Sequence, residues 1–308
     1  MPELPEIAVI AEQMDKELKG KRVTEIEVKQ PKNLNIPARE FTKIITGKTV
    51  EEVSSKGKWL FMKLDHGYFL LINLGMGAEL LHFKPNQKLP EKAQFNLTFS
   101  DKTGFTIHFW WFGYVHLVSE KDLSKHKMTG QLGKSATDTT FTLDYFKELL
   151  THKKTGIKTF LLDQKNVTGI GNVYIQDILF KARLHPNRKT STLTEKEKAD
   201  LYHAIREVLN RSIKLKGLAY EMDLRRKRQI HDRRIPRRIQ TRKILPTMQN
   251  ARRKDQDGKH SFVHLSEVSK RKIGISAFTC LSCSKLESWN IHFFGLFVFF
   301  FLYRSAHC

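Results

Sequence analysis

Cysteine is nearly missing from this sequence: 308 residues contain Cys280, Cys283 and Cys308 and no others. Three are too few for a disulfide framework, which points to a reducing compartment. Long apolar runs are missing too. The longest, Phe293 to Tyr303, falls short of the roughly 20 residues a membrane-spanning helix needs. No basic stretch followed by an apolar core opens the chain, so the expectation is a cytoplasmic protein with no membrane partner. Internal repeats are absent, and acidic residues are scarce, 32 against 54 Lys and Arg.

A formal net charge of +22 calls for a polyanionic partner, nucleic acid before anionic lipid. The charge is uneven. Residues 225–308 hold 19 Lys and Arg against 5 Asp and Glu, leaving 35 against 27 in the first 224. The length suggests two domains, or one with appendages.

Leu4, Ile7, Ile10, Met14 and Leu18 recur at helical spacing. From residue 22 to about 118 the chain reads as strands, with RVTEIEV, KWLFMKLD, YFLLINL, FNLTFS and GFTIHFWWF broken by turn signals such as DHG and DKTG. From about 142 the period becomes helical in LDYFKELL, IKTFLLDQ, NVYIQDILFKARL and LTEKEKADLYHAIREVLNRSIK. Thr194 and Glu197 make a capping box before the last of these. The predicted fold class is α+β. A β-sandwich flanked by helices fills residues 1–130, a helical domain 131–224, and an irregular basic tail, expected to be disordered, 225–308.

Two segments carry chemistry. In MPELPE, removal of Met1 exposes Pro2 as a secondary amine. An α-amino group has an unperturbed pKa of about 8, so it is neutral and nucleophilic more often than lysine. Such an amine can attack a sugar C1′ and form an iminium. Glu3 beside it is a candidate general acid/base. The plain alternative is a helix start, since Pro and Glu both favour a first turn. In GIGNVY (169–174), glycines before a helix would let backbone N–H groups, including that of Gly171, face a phosphate, with Asn172 as a further donor. No strand precedes it and no third glycine follows, so it is no dinucleotide fingerprint.

MPELPE, SKGKWLF (55–61), NLGMG (73–77) and DQKNVTGIGNVYIQDILFKARLHP (163–186) occur in an order and spacing that resemble the formamidopyrimidine-DNA glycosylase/endonuclease VIII family over residues 1–224. The resemblance implies base-excision repair. The substrate would be double-stranded DNA with oxidised bases or abasic sites, the action that of a glycosylase and abasic-site lyase, and the protein monomeric and nucleoid-associated. It implies that Pro2 is the Schiff-base nucleophile, Glu3 the acid/base and Lys58 a catalytic-site contact to the phosphate beside the lesion. Met76 would fill the gap left by the flipped nucleotide. Asn172 would bind phosphate in a helix–two-turn–helix element, with Lys158 a basic position upstream. Asp177, where the family usually has glutamate, reads as a helix brace.

Two departures stand out. The family's Asp-Pro-Arg-Arg-Phe-Gly loop is HFWWFG (108–113) here. Phe112 keeps the aromatic wedge, while Trp110 and Trp111 replace arginines. Tryptophan cannot make an arginine's bidentate bonds but stacks on bases; packing of one ring on the sandwich is the alternative. The family also ends in a zinc finger with two CxxC pairs. This chain has only Cys280–Cys283, with His264, His292 and Cys308 nearby in sequence, so zinc is expected of the family and no metal site of this chain.

A one-base frameshift after Leu224 accounts for the tail. Shifted codons for Arg225–Gln229 can read Gly-Glu-Lys-Gly-Lys, and positions 245, 248, 265 and 268 can all become cysteine, the four-cysteine spacing of a zinc site. At 248 the change is forced, because ATG followed by C gives TGC. A genuine basic DNA-binding tail is the alternative. For the whole chain the competing readings are an impaired or non-catalytic DNA-binding remnant and, less consistent with MPELPE, an RNA-binding protein.

Overall fold

The computed structural model describes residues 1–151, 153–218 and 223–225. Beyond Arg225 the tail, with its cysteines and the proposed frameshift, lies outside the described residues. In chain order the elements are α1 (Leu4–Leu18), β1 (Val23–Val28), α2 (Ala38–Ile45), β2 (Val50–Lys56), β3 (Trp59–Leu64), β4 (Tyr68–Asn73), β5 (Glu79–Phe83), β6 (Phe95–Phe99), β7 (Gly104–His108) and β8 (Tyr114–Ser119). There follow β9 (Lys134–Ser135), α3 (Leu143–Thr151), α4 (Ile157–Leu162), β10 (Val167–Thr168), α5 (Tyr174–Lys181) and α6 (Glu195–Lys214).

Eight strands make two antiparallel sheets, β1-β6-β7-β5 and β2-β3-β4-β8. Their facing side chains form one core with α1, in which Met14, Leu18, Leu60, Met62, Leu70, Ile72, Phe99 and Phe105 are buried. The apolar spacing of α1 is the face it buries. The run WLFMKL of β3 lacks alternation because both of its faces are covered. Its second face holds Trp59 and Phe61 in a smaller cluster with Leu71 and Val118, against which Leu123 and Leu132 pack. There His116 and His126 share a 2.9 Å contact. Burial, with His126 beside it, drives the His116 pKa down to about 4.

Helix α2 has no counterpart in the periodicity reading. AREFTKII is too short to display a repeat, and it holds its place by burying Phe41 and Ile45, with Phe41 edge-on to Phe95 at 6.0 Å. The parallel pair β9–β10, two residues each, was equally invisible in the sequence.

The helices expected after residue 142 are present, and they enclose a separate core of Phe141, Phe146, Phe160, Ile175, Ile178, Leu201, Ile205 and Leu209. The Thr194–Glu197 capping box forms in both directions, at 3.2 and 2.8 Å. After α6 the chain returns to the sandwich: Leu224 is buried in the first core, its N–H donates to Gln13 Oε1 (3.0 Å) and its carbonyl accepts from His82 N–H (2.9 Å). Among the described residues no helix is long and apolar enough to cross a membrane.

Candidate active site and nucleic-acid interface

Three segments distant in sequence meet at the start of α5. The first is the N-terminus. Glu3, only 2% exposed, caps α1 while its carboxylate reaches the other half of the molecule. Oε2 accepts N–H bonds from Gly171 (2.8 Å) and Tyr174 (3.3 Å), and Oε1 accepts one from Val173 (2.9 Å). These are unpaired donors at a helix N-terminus, where a negative charge is favoured.

The second segment is the turn 169–172. Gly169 has φ +101° and its carbonyl accepts the Leu4 N–H at 3.0 Å. A methyl group on Gly171 would stand 2.3 Å from Glu3 Oε1 and 2.8 Å from Lys58 Nζ. Gln164 holds the turn from below, donating to the Ile170 carbonyl and accepting the Gly169 N–H, each at 2.9 Å.

The third segment is the β2–β3 turn that carries Lys58. Gly57, at φ +62°, lies so close to Thr168 that a Cβ would fall 2.1 Å from its hydroxyl. Burial lowers the Lys58 pKa, and the Glu3 carboxylate opposes that shift. Asn73 donates to the Lys58 carbonyl (3.0 Å) and accepts the Gly75 N–H (3.0 Å), linking the lysine turn to the Met76 loop.

Pro2 is buried next to Glu3. With Met1 attached its nitrogen is an amide; once Met1 is removed it becomes a secondary amine. Behind it lies a group that sequence reasoning missed. Glu6 Oε2 accepts the Glu3 N–H (2.9 Å), and Oε1 accepts the Tyr174 hydroxyl (2.5 Å) and the Leu218 N–H (3.1 Å). Burial raises the Glu6 pKa to about 7. The Tyr174 hydroxyl is pushed upward by burial and by Glu6. The Glu3-x-x-Glu6 spacing is that of a capping box, and that was the signal available.

The structure thus brings Pro2, Glu3, Lys58 and Gly171 together. It differs from expectation at Gly171, which is buried and spends its N–H on Glu3; the anion at this helix start is the protein's own carboxylate and not a phosphate. Gly171 serves by having no side chain. Asn172 and Lys158 are exposed, the first just before α5 and the second on α4, and neither hydrogen-bonds Glu3 or Lys58.

The remaining expected residues lie on two adjacent loops. Met76 is 48% exposed and Phe112 42%. A Cβ on Gly75 would fall 1.8 Å from the Phe112 carbonyl, which shows how closely the loops approach. Trp111, 77% exposed, stands clear of the sandwich; Trp110, 59% exposed, rests on His108 at the end of β7, and the buried ring of this loop is Phe109. The loop is pinned on both sides. Gln94 bonds the Phe109 N–H (2.8 Å) and carbonyl (3.2 Å), and Asn33 donates to the Gly113 carbonyl (2.7 Å).

Among the described residues no cluster of three or more histidine, cysteine or acidic side chains is placed to hold a metal ion. The cysteines fall outside them.

Two family models match this chain. The formamidopyrimidine-DNA glycosylase N-terminal domain matches residues 1–113, and the formamidopyrimidine-DNA glycosylase H2TH domain matches 132–223. The chain is 34% identical over 221 residues to the formamidopyrimidine-DNA glycosylase of Pelotomaculum thermopropionicum, covering 70% of this chain and 79% of the relative. It is 34% identical over 222 residues to that of Oceanobacillus iheyensis, covering 70% and 78%. Among solved structures it is similar to wild-type Lactococcus lactis Fpg in complex with DNA containing N7-benzyl-Fapy-dG, with TM-score 0.68, 26% identity and coverage of 72% and 83%. It is also similar to the same organism's Fpg in complex with DNA containing an abasic site, with TM-score 0.69, 25% identity and coverage of 74% and 84%.

Proposed function

We propose that this chain, which belongs to the formamidopyrimidine-DNA glycosylase family, excises oxidised bases from double-stranded DNA through a Schiff base on Pro2 and then cuts the strand as an abasic-site lyase. The observation that carries this reading is the buried Glu3 carboxylate, fixed by three backbone donors between Pro2 and Lys58.

The DNA lies in the cleft between sandwich and helices, with the damaged nucleotide flipped out of the stack. The neutral Pro2 nitrogen bonds to C1′ as the C1′–base bond breaks and its electron pair leaves with the base, which takes a proton from water; the nitrogen gives up its own proton to the Glu3 carboxylate. Glu3 passes that proton to O4′, which opens the sugar ring and leaves an iminium at C1′. The iminium acidifies C2′. Loss of that proton expels the phosphate at C3′ with its electron pair, and the strand is cut.

Lys58 makes no hydrogen bond through Nζ among the described residues, which suits it to the phosphate beside the lesion. Asn172 and Lys158, both exposed, take other phosphates; Met76 and Phe112 enter the duplex where the nucleotide has left. The protein works as a monomer on the nucleoid in the cytoplasm.

Borohydride trapping on abasic-site DNA tests the reading, using protein shown by mass to start at Pro2. A covalent adduct is expected, lost in Pro2→Gly and retained in Lys58→Ala. Salt-sensitive DNA binding with no adduct would instead identify a non-catalytic remnant.

A further inference from the structure

Trp110, Trp111, Phe112 and Met76 present four large apolar side chains to solvent from two loops in contact. The tip 110–112 carries no charge, and its ends are held by Gln94 and Asn33. The Trp110 ring leans on His108 at 5.4 Å. A loop backbone pinned in this way presents its exposed rings to a partner that covers them.

Charge and geometry specify that partner. A net charge of +22 selects a polyanion, and Asn73 ties these loops to the Lys58 turn. Flat apolar rings within a polycationic protein match unpaired nucleobases, which stack on aromatic faces whatever their identity. Base edges are told apart by hydrogen-bond patterns. The four side chains can supply little of that: each indole has one N–H donor, and Met and Phe have no donor.

We propose that Trp110 and Trp111 form a stacking platform for the unpaired base that faces the extruded nucleotide. The platform senses that a base is present and is blind to which one it is. The chain therefore acts on a lesion with little regard to the opposite base. This inference rests on the DNA-glycosylase reading above.

The test uses the full chain starting at Pro2 and duplexes with a tetrahydrofuran abasic analogue opposite A, C, G, T or no base. Dissociation constants are measured at one fixed salt concentration, together with tryptophan emission. The four bases are expected to agree within about threefold, with emission quenched on binding. Removing the opposite base is expected to weaken binding about tenfold, the scale of one lost stack. The double variant Trp110→Ala/Trp111→Ala should bind all four about tenfold more weakly and lose nothing more when the opposite base is absent; Trp111→Phe should restore most of the affinity. A preference above tenfold among the four bases, or an alanine variant that binds like the parent, overturns the platform. If the parent still gives the borohydride adduct, the glycosylase reading survives that failure. A parent that binds none of the duplexes and gives no adduct overturns both.

Discussion

The junction around Glu3 and the loops around Trp111 are built by opposite rules. At the junction, acidic groups are buried and both are answered: Glu3 by three backbone donors, Glu6 by a hydroxyl and two N–H groups. At the loops, apolar groups are exposed while the backbone beneath them is answered by Gln94, Asn33 and Asn73. The first arrangement fixes the position of a carboxylate beside Pro2. The second fixes a backbone and leaves the side chains above it replaceable. Chemistry is therefore held constant where recognition can vary.

That contrast can be broken or sharpened, beginning with the largest effect. Glu3→Gln removes the acid/base and turns an amide N–H₂ toward backbone donors. Single-turnover excision should fall by about 10²- to 10⁴-fold, with a lower melting temperature; excision within threefold of the parent would break the contrast. Next comes a pair of tryptophans. Trp59→Ala, which empties a site stacked on Tyr114, should cost about 3–5 kcal/mol by urea unfolding. Trp111→Ala should stay within about 0.5 kcal/mol.

Gly171→Ala comes third. Its methyl meets the Lys58 ammonium, which can swing aside, and the fixed Glu3 carboxylate, which must strain a backbone bond to move, so the protein should fold with a lower melting temperature. Displacing both by about an ångström should nonetheless slow excision about 100-fold. The smallest effect is a pH dependence. The folded pKa of Glu6, about 7, lies above its unfolded value near 4.5. The folded state therefore keeps a proton that the unfolded state releases, and stability falls as pH rises from 4.5 to 7. His116, held near pKa 4, tilts the curve the other way, so the informative quantity is variant minus parent. From pH 4.5 to 8, Glu6→Gln should gain a few degrees of melting temperature on the parent, by calorimetry.

Much of this was legible. The period of α1, the capping box of α6 and the strand runs of the sandwich announce themselves, because each depends on residues close in sequence. Pro2, Glu3 and Lys58 were found through segments that resemble a family, since no local pattern says that residues 3, 58 and 171 meet. The parts that escaped depend on distant partners. Helix α2 is too short for a period, and Glu6 becomes a buried acid only because Tyr174 and Leu218 close over it. The role of Gly171 was misjudged for the same reason: a glycine before a helix suggests an external anion, and here Glu3 occupies the place. At Trp110 and Trp111 the sequence left packing and stacking both open; the exposure of Trp111 removes the first for that ring, while Trp110 rests on His108. The family match ends at residue 223, and sequencing the message across codons 224 to 270 tests the proposed shift of one base.

The burial of Pro2 has a consequence for synthesis. An aminopeptidase that removes Met1 must grip the Met1–Pro2 bond, and in the folded protein Pro2 is enclosed. Residues 169–174, which bond its neighbours Glu3 and Leu4, leave the ribosome about 170 residues after it does. At the usual pace of translation that interval is roughly ten to thirty seconds. Maturation is then a race between processing and folding, and the amine that the proposed chemistry needs is freed most readily while the second half of the chain is still unmade.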